Sequence, residues 1–159
     1  MPSDWIILIA TSILSILAAV LLTHKSEVRE ALVVFFFKQL MTWMLGLIVV
    51  EFDLIEYPVR LFKYATASSF SFEYFIYPAM CVIFVLRFPE NRSVFHKIGW
   101  YVFFSTWMTL AEVWLEQHTN LIHYIQWNWL CTWVSLLVTF LLSRIFYKWF
   151  FRKKFERNP

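Results

Sequence analysis

From Trp5 to Thr23 the chain runs without a single charged residue. A helix of about 20 apolar residues spans the hydrocarbon layer of a bilayer. Four further runs of this kind follow, at about 31–50, 70–86, 98–115 and 127–146, broken only by Lys38, by Glu73 and Pro78, by Glu112, and by Arg144. Hydrophobic residues make up 60% of the 159 positions and charged ones 16%, where a soluble domain carries about 25% charged. There is too little polar material to cover so much apolar surface with a water-facing skin. Helices are expected, because an open strand in lipid leaves backbone groups unpaired, and the runs lack the alternation of a membrane barrel. The predicted fold is all-α, a single-domain integral membrane bundle of five transmembrane helices with the lipid bilayer as its main partner.

Charge gives the bundle a direction. Twelve of the fourteen Lys and Arg residues fall at one end of this five-span arrangement, leaving only Arg60 and Lys63 at the other. Basic residues stay cytoplasmic, so the N-terminus is expected outside and the C-terminus in the cytoplasm, in a multi-pass cell-membrane protein. Most acids divide the opposite way: Asp4, Glu51, Asp53, Glu56, Glu73, Glu112 and Glu116 belong to the outer half. The first run is read as a retained anchor, since its leading residues carry an acid and no base, the reverse of a secretory signal. The basic stretch 147–159, with interleaved aromatics, is read as a cytoplasmic tail anchored at an anionic leaflet. It forms no separate nucleic-acid-binding domain. In the outer connection 51–69, Pro58 to Tyr64 is expected to lie flat as a short interfacial helix, and Phe88-Pro89-Glu90-Asn91 forms an inner turn.

Polar residues within the runs keep to helical faces. Ser105, Thr109, Glu112 and Glu116 share one face of the fourth, and Asn128, Thr132, Ser135, Thr139 and Ser143 one face of the fifth. Thr11, Ser15 and Ala19 repeat on the first, Lys38 and Thr42 align on the second, and Glu73 and Tyr77 on the third. These seams are expected to point inward, with Leu, Ile and Phe toward lipid. Lys38 is expected to snorkel to the cytoplasmic surface. Trp5, Trp114, Trp127 and Trp129 mark the outer interface, while Trp43, Trp107 and Trp133 pack nearer the middle.

The intramembrane acids carry the functional question, because a carboxylate in lipid is costly. Glu73 and Glu112 project near the outer boundary, and with Tyr77, Thr109, Glu116 and Asn128 they form the candidate ligand-binding set. An acidic, outward-facing funnel is expected, with His118 and His123 at its rim and Arg60 and Lys63 as its only cations. Two readings of Glu73 and Glu112 stand together: hydrogen-bonded structural carboxyls, or a site for a cation, proton or amine. No metal signature is present, since His118 and His123 are five apart, and Cys81 and Cys131 read as small buried hydrophobes. No cofactor and no catalytic residue is assigned.

The residues Tyr77-Pro78, Phe88-Pro89, Glu112, Tyr124, Trp127-Asn128-Trp129 and Trp133 give the stretch from about Phe36 to Phe151 a further feature. It resembles a family of small multi-pass membrane proteins from endospore-forming bacteria. The resemblance implies a bacterial plasma membrane, draws attention to Glu112 and Asn128, and adds no activity. Three functional readings follow from the sequence. The first is a non-enzymatic protein whose outward pocket binds or passes a small cationic or polar ligand. The second is a structural or accessory subunit with a membrane-protein partner or a second copy of itself. The third is an intramembrane enzyme using Glu73 and Glu112 as acid and base.

Overall fold

Each apolar run becomes a helix in the computed structural model, which describes residues 2–152. The charge-free run forms α1, Pro2–Leu22, and after a short 3₁₀ turn the second run forms α2, Val28–Glu51. A π-turn, Phe72–Ile76, leads into α3, Tyr77–Leu86. The last two helices are α4, Val94–His118, and α5, Trp129–Phe150. Asn128 starts α5 with extended backbone, and its side-chain oxygen accepts from Leu130 N at 3.0 Å and Cys131 N at 3.1 Å. It thereby satisfies two of the donors that every helix start leaves over. Three stretches, Ser3–Leu22, Lys25–Glu51 and Trp129–Phe150, are long and apolar enough to cross a membrane by length and composition.

The break before α3 follows from its chemistry. In the π-turn Tyr77 N reaches back to Phe72 O, so the Glu73 carbonyl loses its usual helical donor. Pro78 has no N–H, so the Tyr74 carbonyl loses its donor too. Both acceptors are filled from α2: Thr42 Oγ1 donates to Glu73 O at 2.8 Å, and Gln39 Nε2 to Tyr74 O at 3.3 Å. Two side chains one turn apart on α2 therefore repair a defect in its neighbour.

α3 is the central helix, packed by α1, α2 and α5, with α5 also against α4. Its Pro78, Ala79, Cys81, Val82, Phe84 and Val85 are all buried, as expected of a helix apolar on every side. The surrounding helices are inverted relative to a soluble bundle. On α4 the buried residues include Ser105, Thr109 and Glu112, while Val102, Phe103, Trp107, Leu110 and Trp114 face out. On α5 Thr132, Thr139, Ser143 and Arg144 are buried, while Leu130, Val134, Val138, Leu141 and Ile145 are exposed. The inward polar seams read from the sequence are present on both helices, with Asn128 outside the seam as a cap. Trp43 and Trp107, expected to pack inside, are exposed instead.

The helices alternate in direction. Residues 52–71 and 119–128 meet at one end, where the short strands β1, Ile55–Glu56, and β2, His123–Tyr124, pair antiparallel. Asn120 Nδ2 donates to Asp4 Oδ2 at 3.3 Å, which places the start of α1 at that same end. Pro58–Tyr64 forms turns and no interfacial helix. The Arg60 guanidinium fixes these turns by donating to the Tyr57, Thr66 and Lys63 carbonyls at 2.7, 2.9 and 3.3 Å. That geometry holds a loop and competes with a helix.

At the opposite end Arg87 binds Glu27 at 3.0 Å and the Leu22 carbonyl, joining the α1–α2 and α3–α4 connections. Arg144 and Lys148 both pair with Glu90, the latter at 3.0 Å, and Tyr147 donates to Glu30. The inner turn at Phe88–Asn91 is present, with Glu90 N donating to Phe88 O at 2.8 Å. Of the basic tail, residues 153–159 lie outside the described residues.

Two outcomes follow. Gln39→Ala should cost about 0.6 kcal/mol in detergent unfolding, and less in a Pro78→Ala background, where the helix regains its own N–H for Tyr74 O. For Glu90, burial opposes the charge, but the Lys148 hydrogen bond and the charges of Arg144, Lys148 and Lys97 outweigh it and hold the carboxyl below its ordinary 4.5. Its contribution to stability is full above that ordinary value and is lost as pH falls through the lower folded one. Glu90→Gln should therefore flatten the acid limb of a stability–pH profile.

Candidate functional site

Two apolar clusters divide the bundle lengthwise. One gathers Val34, Phe84, Val85, Phe104, Phe140 and their neighbours. The other gathers Leu8, Ile55, Tyr57, Phe72, Leu121 and Ile122 beneath the paired strands. Between them lies a cavity of about 110 Å³ whose walls include Lys38, Thr42, Gly46, Glu73, Tyr77, Glu112, Thr132 and Thr139. A single water requires only about 10–15 Å³, so there is room for a small elongated molecule.

Glu73 enters this space from the π-turn and is 2% exposed. Ser68 Oγ donates to its Oε2 at 3.0 Å, while Oε1 is buried without a hydrogen-bond partner. The carboxylate lies against Gly46 of α2 so closely that a Cβ there would collide with it. A side chain at this position would have to push the Glu73 carboxylate aside. A buried carboxylate oxygen with no donor is costly, and buried side-chain polar atoms generally find partners.

Glu112, on α4, is treated in the opposite way. Its Oε2 accepts from Tyr77 OH at 2.6 Å, and its Oε1 accepts from Tyr124 OH and Thr132 Oγ1, both at 2.8 Å. Trp127 Nε1 in turn donates to Thr132 Oγ1 at 2.8 Å. Three hydroxyl donors from α3, β2 and α5 reach one carboxylate, two of them on Oε1 and one on Oε2. Glu112 is the knot that ties the strand-bearing loop to three helices.

Lys38 lies at the other end of the cavity. It is fully buried and does not snorkel: Nζ donates to Thr139 Oγ1 at 2.5 Å and stands 4.9 Å from the Phe140 ring centroid. No acid lies within ion-pair distance of it among the described residues. The reason is its position midway along α2, where the polar seam of α5 is closer than either helix end. Beyond Lys38 the seam continues on α5 through Ser143 and Arg144 to Tyr147 and its partner Glu30, alongside the buried Val34, Phe84 and Phe140.

Of the six residues singled out from sequence, Glu73, Tyr77 and Glu112 line the cavity together. Thr109 is buried but bonds back to Ser105 O at 2.8 Å within its own helix. Glu116 is half-buried one turn beyond Glu112. Asn128 is committed to the α5 cap. The chamber also holds Lys38, a cation the expected acidic funnel does not include, and Ile55 and Tyr57 wall it toward the paired strands. Glu51, Asp53, Glu56 and His123 face away, and His118 stacks on Trp114 at 5.1 Å. Sequence reasoning missed Lys38 as a wall of the chamber, although its alignment with Thr42 was the available signal. Helical spacing places Gly46 beside the Lys38–Thr42 face but not its contact with Glu73, and it offers no signal for Tyr57.

Glu112→Gln places an amide N–H₂ against hydroxyl donors and removes the charge they solvate. A loss of about 2 kcal/mol in detergent unfolding is expected, with a smaller loss for Thr132→Val. No protein-family model, no curated protein and no solved structure matches the chain, and the functional reading rests on this geometry alone.

Proposed function

We propose that this chain is a multi-pass protein of a bacterial plasma membrane that binds a small cationic ligand in the chamber between α2, α3, α4 and α5. In this reading all five helices cross the bilayer, with the N-terminus outside and the C-terminus cytoplasmic. Supporting it, α4 turns Trp, Phe and Leu outward along its length. The shorter α3 is enclosed by its neighbours, where irregular backbone is tolerated at membrane depth. The excess of basic residues at the end holding Lys25, Arg87 and Lys148 matches a cytoplasmic face.

The observation that carries the ligand is Glu73, a residue of the cavity wall whose carboxyl oxygen Oε1 is buried without a donor. An ammonium supplies both the missing donor and the missing charge. The acid–base enzyme reading is less favoured, because three hydroxyls already occupy the Glu112 oxygens that would have to exchange protons.

The test uses purified full-length protein in phosphatidylglycerol nanodiscs and hexylamine as the probe, followed by calorimetry. Wild type should bind saturably and Glu73→Gln should lose at least about tenfold in affinity. Equal binding by both proteins removes Glu73 from the site. Gly46→Ala, which pushes the Glu73 carboxyl aside, should weaken hexylamine binding at a stability cost of about 1–3 kcal/mol.

A further inference from the structure

One chamber holds an acidic and a basic side chain that do not meet. The Glu73 carboxylate has an oxygen with no donor, and the Lys38 ammonium has three protons and one recorded acceptor, Thr139 Oγ1. Both residues are almost wholly removed from solvent, at 2% and 0% exposure. Both line the same cavity, and no ion pair joins them. Buried charges are normally paired or neutralised. Here the pairing is split across an empty interval. Glu73 sits against Gly46, and Lys38 is eight residues back on the same helix, about 12 Å of rise.

Glu112 does not close that interval, since Tyr77, Tyr124 and Thr132 occupy it. Thr42, whose hydroxyl is directed at backbone carbonyls, contributes no further charge between the two ends. The walls between are largely apolar, with Leu45 and Leu136 among them.

We propose that the chamber takes an elongated zwitterion, its ammonium on Glu73 Oε1 and its anionic group on Lys38 Nζ, with a short methylene chain between. This deepens the cation-binding reading and rests on it. Each ligand charge supplies what the corresponding protein charge lacks, and the apolar wall accommodates the methylenes. A simple amine would satisfy only one end and leave the Lys38 ammonium as it is. The same pair of charges occurs in a free aminocarboxylic acid and in a phosphoethanolamine lipid headgroup.

The experiment compares 6-aminohexanoate, hexylamine and hexanoate on wild type and Lys38→Met in phosphatidylglycerol nanodiscs, with a parallel arm in phosphatidylethanolamine nanodiscs. A free-acid ligand predicts 6-aminohexanoate binding at least about tenfold tighter than hexylamine, a preference that falls to near one in Lys38→Met. A headgroup ligand predicts no such preference, but competition with hexylamine by phosphatidylethanolamine in wild type that Lys38→Met abolishes. Either result supports the zwitterion. Hexylamine binding that depends on Glu73, with no preference in either arm, overturns the zwitterion and leaves the amine reading standing. Absence of hexylamine binding overturns both. The three probes together with the phosphatidylethanolamine arm, both on wild type, decide the matter even if the Lys38 variant does not fold.

Discussion

A carbonyl oxygen freed inside an apolar bundle has no water to turn to, and that constraint organises this molecule. The π-turn and Pro78 release two carbonyls at the head of α3, and Thr42 and Gln39 of α2 are placed to receive them. The repair fixes the relative height of α2 and α3. It also carries Glu73 out of the regular helical path and brings it against Gly46. The chamber exists because the helix above it is broken and the break is bridged from the side. A straight α3 would offer α2 no acceptors at this level.

The same constraint explains the inverted helices. Ser105, Thr109, Thr132, Thr139 and Ser143 turn inward; Thr109, Thr139 and Ser143 donate to backbone carbonyls and Thr132 to Glu112. Each such bond is weak, about 0.6 kcal/mol on average in membrane helices. The Glu112 knot differs, since three residues from separate elements converge on one carboxylate. It joins the paired strands to the helices, so the cover of the chamber and its wall share a single anchor. Below it, aromatic packing of Phe84 with Tyr101, Phe104 and Phe140 at 5.0, 5.4 and 4.5 Å fills the space that glycines would otherwise close.

Helical periodicity made the elements and their inward faces legible, because 3.6-residue spacing places Ser105, Thr109 and Glu112 together whatever surrounds them. It did not reveal which residues of a face reach the same void. Thr109 and Tyr77 look alike by spacing, yet Thr109 bonds to its own helix while Tyr77 reaches across to Glu112. The outer loop was misjudged for a related reason. Pro58–Tyr64 reads as amphipathic, but Arg60 satisfies three carbonyls at once and makes a compact turn preferable. Lys38 was judged by its distance along the sequence from charged ends. Its true environment is set by Thr139, 101 positions away.

Past Lys38 the hydrophilic trail narrows to α5, where Ser143 and Arg144 carry it on toward Tyr147 and Glu30 between the apolar Val34, Phe84 and Phe140. Ser143 Oγ donates to Thr139 O and Arg144 Nη1 to Val85 O, so these groups are tied to backbone. A thread stitched into the main chain in this way stiffens the bundle's lower half, much as a seam stiffens cloth.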